Sequence, residues 1–245
     1  MNNDTPQPQP DLHIPLQKKV RKGCGAAWPI CLGYFPIGLA LGVLAQQAKI
    51  PVWAVGMMSI LVFAGSAQFI CVAMLASGAS ATSIILTTFV VNLRHALMSS
   101  ALAIHLQGVN RWFLSVFAYG ITDESFAVNM TRFNTNDWSK WSALSVHHLA
   151  NAVWIISTIT GTVIGQFIPQ GAFGIDYALT AMFICLLVYQ MQGIIFVTTA
   201  CIAAAISVGW YLFIPGDSYI VGASMSAATI GFLIKKRTRD SHASS

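Results

Sequence analysis

Two clusters of charged residues interrupt long apolar stretches of this chain, and they restrict its fold more than any other feature. Arg94 and His95 lie in the middle of the apolar stretch 81–106, and Asp123 and Glu124 lie in the middle of the next stretch, 112–130. A charged side chain inside a lipid bilayer costs a few kcal/mol even on the lenient insertion scales. Opposite charges kept at such positions indicate polar contacts between membrane helices, and a site for a polar solute.

The composition places the chain in a membrane. Hydrophobic residues make up 56% of it and charged residues only 9%, whereas a soluble domain carries roughly a quarter charged residues. A soluble protein of this length would need a far more polar surface. A soluble enzyme is therefore disfavoured.

Apolar segments set the expected number of spans, because a transmembrane helix needs about 20 apolar residues. Eight segments approach or reach that length: residues 25–45, 52–76, 81–106, 112–130, 144–168, 177–191, 194–214 and 219–234. The sequence therefore predicts an all-α, polytopic integral membrane protein with about eight transmembrane helices in one domain, residues 23–235. Six spans are the alternative, if two segments are re-entrant.

Basic residues flank this domain at both ends, at positions 18–22 and 235–239. Such runs stay in the cytoplasm, so we expect both termini there and the protein in the inner (plasma) membrane. Residues 1–22 are expected to form a disordered basic tail and residues 236–245 a second tail. The positive charge is confined to these ends, which disfavours a nucleic-acid partner and leaves the lipid bilayer as the surrounding medium.

Small residues predict where helices pack closely in lipid. Gly38 and Gly42 form one G-x-x-x-G pair, and Gly161 and Gly165 form another. Pro36 lies inside the first apolar segment, where a proline kinks a helix or lines a break in it.

The second segment contains a run of small residues from Ala64 to Ala67. Gly65 weakens a helix by about 1 kcal/mol relative to alanine, and Ser66 could cap a restarted half-helix. The N–H groups at such a start suit a carboxylate. Close packing of small residues is the alternative.

The charged clusters themselves carry the candidate chemistry. Asn92 and His95 share a helix face, while Arg94 stays charged and needs a partner or a substrate anion. A structural ion pair, or an arginine reaching the interface, is the alternative. Adjacent Asp123 and Glu124 cannot both point the same way, and in a low dielectric one of them is a candidate proton carrier. A solvated helix end is the alternative.

A histidine pair, His147 and His148, opens the fifth segment, and His147 shares a helix face with Asn151 and Trp154. The pair is interpreted as interfacial, because no third ligand for a metal lies at useful spacing. The sequence predicts no metal, no cofactor and no catalytic residue. A membrane-embedded enzyme with an acid and histidine centre is one rival hypothesis, and a passive small-solute channel is another.

Four motifs in order resemble one family, the AzlC/YgaZ/BrnF-type large subunit of branched-chain amino acid exporters. They are Tyr34-Phe35-Pro36-Ile37-Gly38, Phe63-Ala64-Gly65-Ser66-Ala67-Gln68-Phe69, Asn92-Leu93-Arg94-His95 and Thr122-Asp123-Glu124. The likeness covers residues 22–234. It implies an inner-membrane exporter of valine, leucine and isoleucine, in some members methionine. It also implies a small AzlD-type membrane subunit as partner.

A hydrophobic amino acid is a zwitterion, so its site needs groups of both charges. The expected substrate-binding residues are Gly65, Ser66, Gln68, Asn92, Arg94, Asp123 and Glu124. The expected proton-coupling residues are His95, Asp123 and Glu124. The chain contains no Walker A sequence, which makes the proton gradient the natural energy source.

Overall fold

The structure, a computed structural model, describes residues 15–135, 138–169 and 194–213, together with isolated positions between 174 and 231. Its helices are α1 (Leu16–Gln47), α2 (Val52–Leu61), α3 (Gly65–Ala76), α4 (Ala81–Ala103), α5 (Arg111–Tyr119), α6 (Asp123–Asn134), α7 (Lys140–Gly165) and α8 (Ile194–Phe213). These described residues form no strand, which confirms the all-α class.

Three helices, α1, α4 and α7, are long and apolar enough to cross a membrane, and α2, α3 and most of α8 are shorter apolar helices. Helix α8 coincides with the predicted segment 194–214. The predicted segments 177–191 and 219–234 fall largely outside the described residues, so the number of eight spans stays a prediction.

Helices α1 and α7 form the most extensive helix pair of the described fold, and glycines line their contact. A Cβ on Gly42 would run into the carbonyl oxygen of Thr158, and one on Gly161 would run into the carbonyl oxygen of Leu39. The two G-x-x-x-G pairs therefore pack against each other within one chain. Backbones this close gain dispersion contacts that lipid alone does not supply.

The structure divides the predicted span 52–76 into α2 and α3. Helix α3 restarts at Gly65, in agreement with the half-helix that the small residues 64–67 suggested, whereas the segment is not one continuous helix. The break covers residues 62–64, and Phe63 there adopts a positive φ of 37°. A bulky residue takes that conformation only where its surroundings hold it. Phe63 is 2% exposed and packs edge-on against Tyr34 of α1, so burial of its ring keeps the break in place.

The predicted span 112–130 is divided as well, into α5 and α6. Helix α5 ends at Tyr119 and is followed by Gly120, where an added Cβ would lie 2.5 Å from His147 Cβ. Helix α6 starts anew from Thr122, whose hydroxyl accepts from the Ser125 N–H while the Ser125 hydroxyl accepts from the Thr122 N–H. This capping box satisfies the N–H groups that the interruption leaves free.

Helix α1 begins at Leu16, so residues 16–22 are helical. The sequence analysis expected these residues to be disordered, and for this part of the tail that expectation is wrong. The helix continues through Pro29 and Pro36, and Pro36 therefore does not interrupt it. Ser142 of α7 donates a hydrogen bond to the Lys19 carbonyl at 2.8 Å, which ties this first part of α1 to the rest of the fold.

Candidate functional site

The two breaks lie side by side, and Arg94 of α4 bridges the half-helices that follow them. Its Nη1 lies 2.9 Å from Asp123 Oδ2 at the start of α6. Its Nη2 donates to Ser66 Oγ at 2.5 Å at the start of α3. Both charged side chains are 30% exposed. One guanidinium therefore joins three helices at the level where two of them restart.

Glu124 has a different partner from its neighbour. The hydroxyl of Tyr34 on α1 lies 2.5 Å from Glu124 Oε2 and 2.8 Å from Thr122 Oγ1. Tyr34 is only 8% exposed, whereas Glu124 is exposed. The acidic pair is thus divided between α4, which holds Asp123, and α1, which holds Glu124.

The two half-helix starts differ in how they are capped. Helix α3 begins after Ala64 with no side-chain cap. Ser66 therefore does not cap the helix, which was one of the two interpretations of the small residues. Helix α6 begins with the capping box of Thr122 and carries Asp123 and Glu124 in its first turn. Uncapped N–H groups and the helix dipole favour a negative group at the start of α3. Two carboxylates already satisfy the same preference at α6.

A hydrogen-bonded chain of neutral groups supports the first break. Trp154 Nε1 of α7 donates to Gln68 Oε1 at 2.8 Å, and Gln68 Nε2 donates to Ser59 Oγ at 3.1 Å. Ser59 in turn lies 2.9 Å from Thr158 Oγ1. The Trp154 ring also covers Gly65, where an added Cβ would come within 3.1 Å of it. Trp154 therefore fixes both ends of the first turn of α3.

His147 of α7 supports the second break. Its Nδ1 lies 3.0 Å from the Phe117 carbonyl oxygen and its Nε2 lies 2.8 Å from Asn129 Nδ2. A carbonyl can only accept and an amide nitrogen only donates, so this ring carries its hydrogen on Nδ1. Trp138 Nε1 donates to Asn129 Oδ1 at 2.9 Å, which sets the orientation of that amide. His147 is fully buried, so its partners are protein groups and not water or lipid headgroups.

The C-terminal ends of α2 and α5, which precede the two breaks, are in contact with each other. The Tyr119 hydroxyl at the end of α5 donates a short hydrogen bond to the Ile60 carbonyl near the end of α2. Carbonyl groups at a helix end have no partner within the helix. This contact satisfies one of them and fastens the two breaks together.

The sequence-predicted site residues fall into three groups in the structure. Ser66, Arg94 and Asp123 bond directly, with Glu124 adjacent. Gly65 and Gln68 belong to the Trp154 chain. Half-buried His95 interacts electrostatically with Arg94 and Asp123.

Asn92 completes the predicted set, and its Oδ1 is buried without a hydrogen-bond partner among the described residues.

Sequence reasoning missed Tyr34, Thr122 and His147 as parts of the two breaks, and it recorded Trp154 only as sharing a face with His147. Tyr34 precedes a proline in an apolar run, and nothing local distinguishes it from a core aromatic. A threonine three residues before Ser125 is a capping signal that was not used, because no break was expected there.

The described residues contain no group of three His, Cys, Asp or Glu side chains close enough to hold a metal ion. The groups that the site offers to a solute are the arginine, the two carboxylates, the tyrosine hydroxyl and the helix ends.

Comparison with known proteins places these motifs among membrane proteins. A family model described as "AzlC protein" matches residues 29–168, which include every site residue named above. The chain is 28% identical to "Inner membrane protein YgaZ" of Escherichia coli K12, over 83% of this chain and 85% of that protein.

Two further relatives are more distant or shorter in overlap. "Branched-chain amino acid transport protein AzlC" of Bacillus subtilis is 23% identical, over 85% of this chain and 82% of that protein. An "Uncharacterized membrane protein" of Helicobacter pylori strain 26695 is 26% identical, over 66% and 72%. No solved structure matches the chain.

Proposed function

Because the chain belongs to the AzlC family, we propose that it is a secondary transporter that exports branched-chain amino acids from the cytoplasm. Valine, leucine and isoleucine are the proposed substrates, with methionine as a further one. The proton gradient is the proposed energy source, and a small AzlD-type membrane subunit is the proposed partner. The protein would lie in the inner membrane with both termini in the cytoplasm.

The observation that carries this proposal is the Arg94–Asp123 ion pair between the starts of α3 and α6. Ions within a bilayer face the bundle interior and mark substrate or ion pathways. Interrupted helices at membrane depth are tolerated where they line a cavity or are covered by protein. Two breaks joined by one ion pair provide the opposite charges that a zwitterion needs.

The carboxylate end of the substrate fits the start of α3. This helix has no side-chain cap, and Arg94 lies beside it through its bond to Ser66. Buried Arg94 Nε finds no acceptor among the described residues. A carboxylate bound there would supply that acceptor and could form a bidentate contact with the guanidinium.

The ammonium end fits the start of α6, where Asp123 and Glu124 stand in the first turn. Asp123 is already paired with Arg94, and Glu124 accepts a hydrogen bond from a neutral hydroxyl. A substrate ammonium would therefore find an uncompensated carboxylate within the same site. The two helix starts fix the orientation of the zwitterion.

The test is amino acid export from cells that are fed dipeptides, so that valine, leucine or isoleucine accumulates inside. Cells with the chain and its small subunit should release these amino acids faster than cells without the chain. A protonophore should remove the difference. Lysine- and glutamate-containing dipeptides serve as controls for substrate class.

Equal release of valine, leucine, isoleucine and methionine with and without the chain would overturn the proposal. If amino acids continue to leave the cells at the same rate, down their own concentration gradient, after the protonophore is added, the result would support a passive channel instead.

A further inference from the structure

Among the described residues, the charged groups that bond at the site do not balance. Arg94 carries one positive charge and is paired with Asp123. Glu124 adds a second negative charge, and its hydrogen-bond partner is the neutral hydroxyl of Tyr34. An unpaired charge in a membrane protein is costly unless water reaches it, so the site favours the binding of one further cation. A proton and a substrate ammonium each carry the required charge.

The hydrogen atoms at Tyr34 point to Glu124 as the place where that cation binds. A tyrosine hydroxyl has one hydrogen to donate, yet the Tyr34 oxygen lies 2.5 Å from Glu124 and 2.8 Å from Thr122. When Glu124 is ionised, Tyr34 donates to it. When Glu124 carries a proton, its O–H can donate to the Tyr34 oxygen, and Tyr34 can donate to Thr122 Oγ1. The same three oxygen atoms serve both states without a shift of the helices.

We propose that the Glu124 carboxylate binds a proton and the ammonium group of the transported amino acid in alternation, and that Tyr34 is the positioning residue that stabilises both states. This proposal rests on the proposed function and makes it more specific. It assigns the coupling to Glu124, and it assigns to Asp123 the role of holding Arg94.

The charged and titratable groups around Glu124 are consistent with this division. Tyr34 faces it from α1, and Asp123 precedes it on α6. Arg94 and His95 of α4 interact with Asp123. His147 of α7 contacts the opposite side of the break, at Phe117 and Gly120.

Of these groups, Asp123 has its charge compensated by Arg94. Glu124 is also exposed, which allows a proton from water to reach it.

Competition for one carboxylate couples the two solutes. At the outer side, a proton from water adds to Glu124 and neutralises it, which releases the ammonium group of the bound amino acid. At the inner side, the Glu124 proton passes to water, and the carboxylate binds the ammonium of the next amino acid. One proton enters for each amino acid that leaves, and neither can occupy Glu124 together with the other.

The experiment measures proton release upon binding by the purified chain with its small subunit, in weakly buffered solution with a pH indicator. The probes are L-valine and 3-methylbutanoate, which keeps the carboxylate and the branched chain but lacks the ammonium. Valine should release about one proton per site at pH values where Glu124 is protonated, and its apparent affinity should fall about tenfold per pH unit on further acidification. The ammonium-free analogue should release none at pH values where its own carboxyl group is already ionised.

Variants separate the two carboxylates. Glu124→Gln should remove both proton release and the pH dependence of valine binding, whereas Asp123→Asn should bind valine more weakly but still release protons. Tyr34→Phe should shift the pH at which release is half-maximal without abolishing it, a change that loss of packing alone would not produce.

Valine binding to the wild type without proton release would overturn this inference and leave the proposed function standing. Unchanged proton release by a folded Glu124→Gln would also overturn it. Failure of valine, leucine, isoleucine and methionine alike to bind would overturn both. The comparison of valine with 3-methylbutanoate needs no variant, so a Glu124→Gln protein that does not fold leaves the test intact.

Discussion

Asp123 and Glu124 are neighbours in the chain, yet their carboxylates are held by different helices. Asp123 Oδ2 lies 2.9 Å from Arg94 on α4, and Glu124 Oε2 lies 2.5 Å from Tyr34 on α1. Successive residues at a helix start point about 100° apart, so one turn of α6 reaches two neighbours. The pair therefore consists of one carboxylate paired with a cation and one bonded to a neutral hydroxyl.

Replacing Arg94 should stop transport without removing the protein from the membrane. Arg94→Ala would remove the proposed charge-assisted contact with the substrate carboxylate, worth about 2 to 3 kcal/mol, which corresponds to a loss of roughly 30- to 150-fold in substrate affinity. Arg94→Lys keeps the charge but not the planar geometry and should retain part of the activity. Valine export and the amount of protein in isolated membranes are the measurements.

Arg111→Ala is the matched control for this variant, because Arg111 is exposed at the start of α5. Wild-type export by Arg94→Ala, or equal losses in the two variants, would contradict the assignment.

Replacing His147 should destabilise the second break. His147→Ala removes one hydrogen bond from the buried Phe117 carbonyl and one from the buried Asn129 amide, and each lost bond costs about 0.5 to 1.5 kcal/mol. Both groups keep a second partner, the Gly120 N–H and the Ala143 carbonyl. We expect a lower melting temperature of the detergent-solubilised protein and reduced export. Adjacent His148 is exposed, so His148→Ala should change neither quantity. Similar losses in both variants would show that the contacts of His147 are not the cause.

One added methyl group should lower the stability of the protein more at the contact of α1 with α7 than elsewhere on α1. Gly161→Ala drives a Cβ into the Leu39 backbone, and such overpacking costs about 1 to 3 kcal/mol. Gly33→Ala is the control, since a Cβ there meets nothing within 4 Å and alanine favours a helix. Thermal unfolding in detergent measures both, and a Gly161→Ala protein as stable as the wild type would refute the expectation.

Both termini are expected in the cytoplasm because the basic runs at 18–22 and 235–239 flank the apolar domain. A reporter enzyme that is active only in the periplasm should be silent when fused to the C-terminus. A cytoplasmic reporter fused at the same position should be active. The reverse pattern would mean an odd number of spans and would overturn the proposed topology.

Hydropathy predicted the helical class and the position of α4 and α7, because the apolar segments 81–106 and 144–168 are bounded by polar connections. Hydropathy did not predict the two breaks, and only the small residues 64–67 suggested the first of them. Residues 62–64 lie within an apolar run, and residues 120–122 come directly before Asp123 and Glu124. Hydropathy records how apolar a segment is but not whether its backbone turns. The positive φ of Phe63 depends on tertiary burial, which no local pattern contains.

The charged part of the site was predictable from residue type alone, because Arg94 and Asp123 are costly in lipid wherever they point. Their neutral supports were not. Trp154, Gln68 and Tyr34 are ordinary residues of an apolar helix until α1, α3 and α7 come together. Only long-range contacts, such as the Trp154–Gln68 bond across 86 residues, identify them.

The glycine-lined contact of α1 with α7 has a consequence for how the site opens. The backbones of α1 and α7 touch directly, and no long side chains lie between them that could change rotamer. These two helices therefore cannot slide past each other easily. Between them they carry Tyr34, His147 and Trp154, which touch both interruptions. We expect this pair to act as a fixed frame during alternating access, while the half-helices move against it. A cysteine cross-link from α1 to α7 should then leave transport intact, whereas one from α3 to α6 should block it.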